Sequence, residues 1–334
     1  MAIRLVFDNF KFNKDDILKN SHGANLEKYK YAIFTTNSSR QGYALSEPSA
    51  VESANTIDLR RRLTKIGHCI LESIRQKRAS NSTQQVWSKI TPMINDCAKQ
   101  QFLNGFDFIR AREKMFLQLR NPKPSPNNGC VCVTFGIGEE YFIEEIFKRR
   151  YPNCKFFGAD PTPEVSNRYA KYFGPYFPIG IDARTGKQTL SIYKGNKVPY
   201  ADTFFDTTGI YDFIERNICQ PLIHFLNLDV EGSEYRILPY LAERGRPNKT
   251  QICQILVESH GPLAKYGVKN VEIFADILVQ LISRVSMIPI GSVPGAWGHQ
   301  YYLLFNAAES RCIEAFIFPS DKSNLLTTIS SRKT

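Results

Sequence analysis

A chain of 334 residues with 43% hydrophobic residues can build one large domain, or one domain with an extension, around a full apolar core. Its net charge of +11 is far from balance and points to an acidic partner such as nucleic acid, an anionic membrane surface or a phosphorylated ligand. Met1–Phe12 carries Asp8 and Lys11 and no long apolar core, so it does not read as a signal peptide. No run approaches about 18 apolar residues, so no membrane span is expected.

The eight cysteines lack the spacing of a metal site, and none is expected. Cys130 and Cys132 stand two apart in an apolar run and so share one face of a strand. Cys69, Cys97, Cys154, Cys219, Cys253 and Cys312 are scattered through helical or strand-like runs. Buried free thiols in a reducing, cytoplasmic setting are the expectation, although an even count leaves disulfides open.

In chain order, residues 1–55 form an irregular N-terminal arm, with Ile3–Phe7 and Tyr29–Phe34 as short strands or ordered arms and Ser38–Asn55 as a polar loop or linker. Residues 56–120 form a basic helical extension with thirteen Lys or Arg against five Asp or Glu. Leu59, Leu63, Ile66, Ile70 and Ile74 recur at helical spacing behind a candidate cap at Asp58. Val86, Ile90, Met93, Ile94 and Cys97 form a second stripe. Phe106, Ile109, Phe116 and Leu119 form a third, predicting a helix over 102–119. All three read as packing faces.

Asn121–Gly129 is a proline-rich break, and the texture changes after it. Strands are predicted over 130–135, 155–159, 177–181, 223–228, 252–258, 287–290 and 300–305. Helices are predicted over 140–150, 164–173, 235–244 and 271–284, with another inside 204–217. A turn at Thr185-Gly186 leads into a hairpin at 189–193. Alternating strand and helix means a doubly wound α/β sheet, mostly parallel. The last two strands have no helix between them, so the sheet ends in an antiparallel pair. Class I Rossmann-like methyltransferase sheets end this way; nucleotide oxidoreductases usually do not. The domain is placed at 128–318, followed by a flexible tail at 319–334.

Four strand ends carry polar groups that can do chemistry. Val133–Phe135 runs into Gly136-Ile137-Gly138, where glycine allows close backbone approach and the following helix offers free N–H donors. Phe156–Ala159 ends in Asp160, 22 residues after Gly138, where an acid can accept both ribose hydroxyls of a nucleotide. Phe225–Leu228 empties Asp229, Glu231 and Glu234 into one loop. Ile255–Val257 ends in Glu258-Ser259-His260, where a histidine can serve as a general base. His299, after the Gly291–Gly298 loop, is a weaker candidate of the same kind.

The run Asp229-Val230-Glu231-Gly232-Ser233-Glu234 resembles the signature of FkbM-type methyltransferases, also called methyltransferase domain 21. The Gly158-Ala159-Asp160-Pro161 strand end and the Phe177-Pro178-Ile179-Gly180-Ile181 strand with its Thr185-Gly186 hairpin are also similar to that family. The likeness spans roughly residues 128–305. It implies S-adenosylmethionine as cofactor and methyl transfer to a hydroxyl oxygen of a small-molecule or glycan acceptor. It further implies that Gly136 and Gly138 line the methionine end of the cofactor, that Asp160 binds the ribose, and that Asp182 lies near the adenine. Asp229 would face the methyl-transfer region, with Glu231 and Glu234 shaping it. Thr134, Phe135 and Pro161 flank these positions and complete the candidate cofactor set. Asp229, Glu231 or His260 is the expected proton acceptor, and Glu234, Glu258 and His299 are the candidate acceptor-side residues.

The pattern departs from methyltransferases at Thr134, where an acid is common, and at Glu140, where a third glycine is common. Thr134 offers a hydroxyl but no carboxylate to the cofactor's ammonium group, leaving Glu139 or Glu140 to supply one. Two alternatives follow. One is a catalytically degenerate methyltransferase fold that binds RNA or anionic lipid through the basic 56–120 segment. The other is an NAD(P)-dependent oxidoreductase, opposed by Tyr141 at its third glycine position.

Overall fold

A computed structural model describes residues 52–78, 83–102, 105–120, 129–138, 141–193, 200–244, 250–261 and 272–319. The expected strands or ordered arms at 3–7 and 29–34, nearly all of the 1–55 arm, the 121–128 break, Glu139, Glu140 and all but the first residue of the 319–334 tail lie outside the described residues.

Two long helices come first, α1 (Ala54–Arg78) and α2 (Thr83–Gln101). Both predicted apolar stripes are buried. Each fully buried aliphatic side chain contributes about 1.5–3 kcal/mol relative to an exposed one. The α1 cap lies earlier than Asp58. Ser53 Oγ accepts the Thr56 N–H at 3.1 Å. Asp58 sits one turn inside the helix and pairs with Arg61 and Arg62 at 2.6 and 2.7 Å. Arg60 is paired with Glu52, and Arg75 with Glu72. Much of the basic cluster is thus already matched within its own helix.

The described residues 105–119 are not a helix. They form a hairpin of β1 (Ile109–Ala111) and β2 (Lys114–Phe116). The tight turn puts Arg112 at φ +55°, a left-handed conformation that ends any helix. Phe116 packs against Phe147 and Phe225, so its apolar partners lie across the core.

The main sheet contains β3 (Val131–Phe135), β4 (Lys155–Ala159), β5 (Tyr176–Phe177), β9 (Leu222–Leu228), β10 (Gln251–Ser259), β11 (Met287–Pro294) and β12 (Gln300–Asn306). Their order is β11-β12-β10-β9-β3-β4-β5. The β9–β10, β3–β9, β3–β4 and β4–β5 pairs are parallel, and β12 runs against both β10 and β11. This is the expected mostly parallel sheet with an antiparallel end. The connecting helices are α3 (Phe142–Arg150), α4 (Pro163–Tyr172), α6 (Glu234–Arg244) and α7 (Glu272–Val285), and α8 (Ser310–Ala315) follows β12. The edge strand β11 is covered by α2. Asn95 accepts the Ser292 N–H and donates to the Ser292 carbonyl, satisfying an edge that would otherwise be open.

A second sheet holds β6 (Gly180–Asp182), β7 (Gly186–Tyr193) and β8 (Tyr200–Gly209) in the order β6-β8-β7. The hairpin partner of β7 is β8, a strand where a helix was expected to begin. Helix α5 (Ile210–Phe213) starts only after it and relaxes into a π-helical turn over Ile214–Ile218.

Six of the eight cysteines are paired, correcting the expectation of free thiols. Cys69–Cys97 joins α1 to α2, Cys130–Cys154 joins the lead-ins of β3 and β4, and Cys253–Cys312 joins β10 to α8, at Cα separations of 5.7, 4.5 and 5.1 Å. These lie within the reach of a disulfide. Pairing was hidden in the sequence because each partner is 24 to 59 residues away. Cys132 and Cys219 are free.

His224 on β9 makes the fold acid-sensitive. Its Nδ1 accepts the Val131 N–H at 3.1 Å, which requires a neutral ring. Burial pushes its pKa down to about 4. The unfolded chain therefore takes up this proton first as pH falls. The stabilising contribution is complete above about pH 6.5, and is lost at about 1.4 kcal/mol per unit until pH 4. In His224→Asn, Oδ1 keeps the acceptor without titrating. Urea midpoints at pH 7.5 and 4.5 are expected to show wild type losing about 3 kcal/mol more than the variant. Equal losses would contradict this.

Candidate functional site

The strand order reverses between β3 and β9. Chain order runs outward from β3 through β4 to β5 on one side, and from β9 through β10 on the other. Ligands of open parallel sheets sit in the crevice at such a point, beyond the strand C-termini. Gly136 and Asp229 occupy it. Gly136 has φ +75°, and a Cβ there would lie 1.5 Å from the Asp229 carbonyl oxygen. The Asp229 N–H donates to the Phe135 carbonyl at 2.9 Å. Only glycine lets the two loops meet. Gly138, at φ +61°, faces open space.

Asp160 holds this turn. Its Oδ2 accepts the Ile137 and Gly138 N–H groups at 2.8 and 3.1 Å, and Oδ1 accepts the Thr162 N–H at 2.7 Å across the half-buried Pro161. Acid and glycine loop, 22 residues apart, form one unit.

The carboxylates of the next two strand ends converge on the two histidines. Glu234, fully buried, accepts the Gly232 N–H at 2.7 Å, the His260 N–H at 3.0 Å, and faces His260 Nδ1 at 2.8 Å. Glu231, in a left-handed conformation at φ +50°, places Oε2 3.2 Å from His260 Nε2. Asp229 Oδ1 lies 4.0 Å from the same nitrogen. His299 Nδ1 is 2.7 Å from Glu258 Oε1, and the two imidazole rings are 4.5 Å apart.

Lys114, delivered by the β1–β2 hairpin, donates to Asp229 Oδ2 at 3.1 Å. Burial opposes its charge, but Asp229, Glu144 and Glu258 outweigh burial and hold the ammonium well above its ordinary pKa. Burial likewise pushes Asp229 up, and Lys114, Glu258 and His260 more than reverse it, leaving the carboxyl below its usual range. Glu258 goes the other way. Burial and the neighbouring Asp229 charge raise it to about 7 despite the His299 contact. Burial disfavours the His260 cation, but Glu234 and Glu231 overcome this and raise its pKa well above the usual value.

A cleft of about 200 Å³ opens onto this edge, lined among others by Arg112, Lys114, Gly138, Asp229, Glu258 and Tyr301. The structure thus brings together Gly136, Gly138, Asp160, Asp229, Glu231, Glu234, Glu258, His260 and His299. Three sequence candidates are turned elsewhere. The Thr134 hydroxyl donates to Glu144 Oε1 at 2.7 Å, and Asn227 donates to the same oxygen at 3.0 Å. A buried carboxylate from α3 thus ties β3 to β9. Phe135 packs edge-on against Phe213 in the core. Asp182 is buried against Arg236, Ser233 and the Ala183 N–H, so its carboxylate is spent on joining β6 to α6. Lys114, Arg112 and Tyr301 were missed. The first two sit on a hairpin whose Arg112-Glu113 turn lacks the glycine or asparagine that marks such turns. Tyr301 is one of a run of apolar strand residues.

The sheet order, its single reversed strand and the glycine turn at the switch point define a Rossmann-like methyltransferase fold. The sequence matches the Methyltransferase FkbM domain family over residues 104–284, and the chain belongs to that family. No curated protein matches it. Among solved structures it is similar to a chain of the Pnkp1/Rnl/Hen1 RNA repair complex, with 12% identity, a TM-score of 0.31, and 69% of this chain aligned to 49% of that one. It is also similar to N,N-8-amino-8-demethyl-D-riboflavin dimethyltransferase (RosA) from Streptomyces davawensis, with 12% identity, a TM-score of 0.26, and 73% of this chain aligned to 70% of that one. The chain spans about half the length of the first of these. Among the described residues no helix is long and apolar enough to cross a membrane.

Proposed function

We propose that the protein is an S-adenosylmethionine-dependent methyltransferase acting on a hydroxyl of a small molecule or glycan. The observation that carries this is the acidic cleft at the switch point, where Gly138, Asp229 and Glu258 share one opening. A cationic cofactor fits it, because the cleft's carboxylates Glu113, Asp229 and Glu258 outnumber its cations Arg112 and Lys114. When bound, S-adenosylmethionine supplies an electrophilic methyl group on a sulfonium. The chain's own contribution is placement and proton removal. The Gly136–Gly138 turn, stapled by Asp160, gives the backbone surface on which the cofactor's methionine end and ribose would rest. Asp229 lines the cleft, whereas Glu231 and the His260 cation lie behind it, and this position makes Asp229 the preferred proton acceptor. Glu258 and Tyr301 face the acceptor side, with Glu234 and His299 supporting from behind.

Residues 128–318 carry this activity in our reading. The 56–120 segment, with its excess of cations, is the place for an acidic partner. Cytoplasmic residence drew its support from reduced thiols, and six of the eight are paired. We therefore place the protein in an oxidising compartment.

Isothermal titration tests the cofactor assignment. One S-adenosylmethionine per chain is expected for wild type. Asp160→Ala, which frees the turn, is expected to bind at least about tenfold more weakly, as a lost charge-assisted hydrogen-bond set costs about 1.5–3 kcal/mol per bond. Absence of binding by folded wild type would remove the reading.

A further inference from the structure

We propose that Asp229, Glu231, Glu258, His260 and His299 form a site for one divalent first-row cation, Mn2+ or Zn2+ in preference to Mg2+ or Ca2+. Two triads carry it, Glu258–His260–His299 and Asp229–Glu231–His260. In each, one ligating atom per residue lies within 4.8 Å of the others. His260 is common to both, so the two triads meet at one imidazole.

The cluster is more than a collection of acids. Its members come from the end of β9 and the loop after it, the end of β10, and the approach to β12. Three separate chain segments converge on one point. Glu234 is fully buried and accepts from His260 at both its backbone N–H and Nδ1. That contact fixes the ring with Nδ1 as donor and turns Nε2 toward Asp229 and Glu231, where a metal ion would take the place of the Nε2 proton. A carboxylate bound to the far nitrogen is the usual way a metal-ligating histidine is oriented. Charge points the same way. Asp229, Glu231, Glu234 and Glu258 lie in one largely buried group, with Lys114 as the ammonium paired to it. Uncompensated buried carboxylates are costly, and a divalent ion compensates two of them. The cleft lined by Asp229 and Glu258 gives an entry path. Two imidazoles among the ligands favour the first-row ions over Mg2+ and Ca2+, which take oxygen.

The site itself stands on this donor set. Its part in the reaction, to hold and acidify an acceptor hydroxyl beside Asp229, rests on the methyl-transfer reading.

Mn2+ is the probe. Chelator-treated wild-type protein is titrated with Mn2+, and the free ion is followed by its electron paramagnetic resonance signal. One bound Mn2+ per chain is expected, displaced by stoichiometric Zn2+ and retained against tenfold Mg2+. Glu258→Gln and His299→Ala are each expected to weaken binding at least about tenfold. Glu231→Gln, on the more open side of the cluster, keeps the Glu234–His260 contact and serves if either of these fails to fold. Wild type that leaves Mn2+ free at millimolar concentration overturns the proposal. So does binding that all folded variants retain, which is adventitious. S-adenosylmethionine titrated into the same chelated sample keeps the two readings apart. Mn2+ binding without cofactor binding leaves the metal site and removes the methyltransferase; the converse removes the metal site alone.

Discussion

Replacing Gly136 by alanine is expected to weaken S-adenosylmethionine binding about 100-fold and to lower the unfolding midpoint at the same time. Two costs add. A Cβ residue in the left-handed region costs about 1–2 kcal/mol, and Gly136 sits at φ +75°. The new methyl would also lie 1.5 Å from the Asp229 carbonyl oxygen, which is backbone and cannot swing aside. Either β3 or β9 must give way, at an overpacking cost of about 1–3 kcal/mol. The hydrogen bond from the Asp229 N–H to Phe135 is the first casualty, and it sets the height of Asp229 above the strand. Cofactor binding must then restore the turn, and about 2.7 kcal/mol of such cost is 100-fold in Kd. Gly138→Ala separates strain from collision. Gly138 is also left-handed, at φ +61°, but its Cβ meets nothing. It is expected to lose only about 1–2 kcal/mol of stability and to leave Asp229 in place. Calorimetric titration and thermal melts of the two variants check this. A Gly136→Ala protein with the wild-type Kd and midpoint would show that the two loops do not meet as described.

The strand ends were legible in the sequence because an open parallel sheet concentrates its polar residues there. The apolar run Phe156–Ala159 ending in Asp160 announced a strand with an acid at its end, and the same held for Asp229 and Glu258. The acid-to-glycine spacing was legible too, but not what it does. Asp160 spends its hydrogen bonds on the Ile137 and Gly138 N–H groups, a pairing that spacing alone cannot distinguish from a ribose contact. What stayed hidden depends on contacts between distant segments. Lys114 is 115 residues from Asp229 in sequence and reaches it only because 109–116 turns back as a hairpin. Its apolar residues mimicked a helical stripe, since Ile109 and Phe116 are seven apart, two helical turns, whereas in the hairpin they are paired across its two strands. The strand Tyr200–Gly209 was concealed for a related reason. Its partner β7 supplies the pairing that its mixture of Thr, Asp and Phe does not advertise. The Thr134 hydroxyl is bonded to Glu144 from the following helix, a contact that nothing in the local sequence marks.

Breaking Cys253–Cys312 is expected to cost about 4 kcal/mol, the largest stability effect of the three disulfides. In the chain-entropy account the benefit grows with the length of the closed loop. This bridge spans 59 residues, against 28 for Cys69–Cys97 and 24 for Cys130–Cys154. It also encloses α7, β11 and β12, the elements that build the antiparallel end of the sheet and carry His299 to the site. Both sulfurs are buried, and Cys253 lies on β10 five residues before Glu258. Cys253→Ala with Cys312→Ala removes the link without leaving a polar group in the core. A domain with about 5–15 kcal/mol of total stability would lose a large fraction of it. The urea midpoint of this double variant is expected to fall accordingly, and the matching Cys69–Cys97 double variant to fall by about 0.5 kcal/mol less. Thiol titration under denaturing conditions supplies the independent check, with two reactive thiols before reduction and eight after. Eight thiols in the unreduced protein, or a midpoint untouched by the double substitution, would return the chain to the reduced state that its scattered cysteines suggested. If both results hold, the fold that positions Glu258 and His299 depends on oxidation, and activity should survive only where that bond is kept.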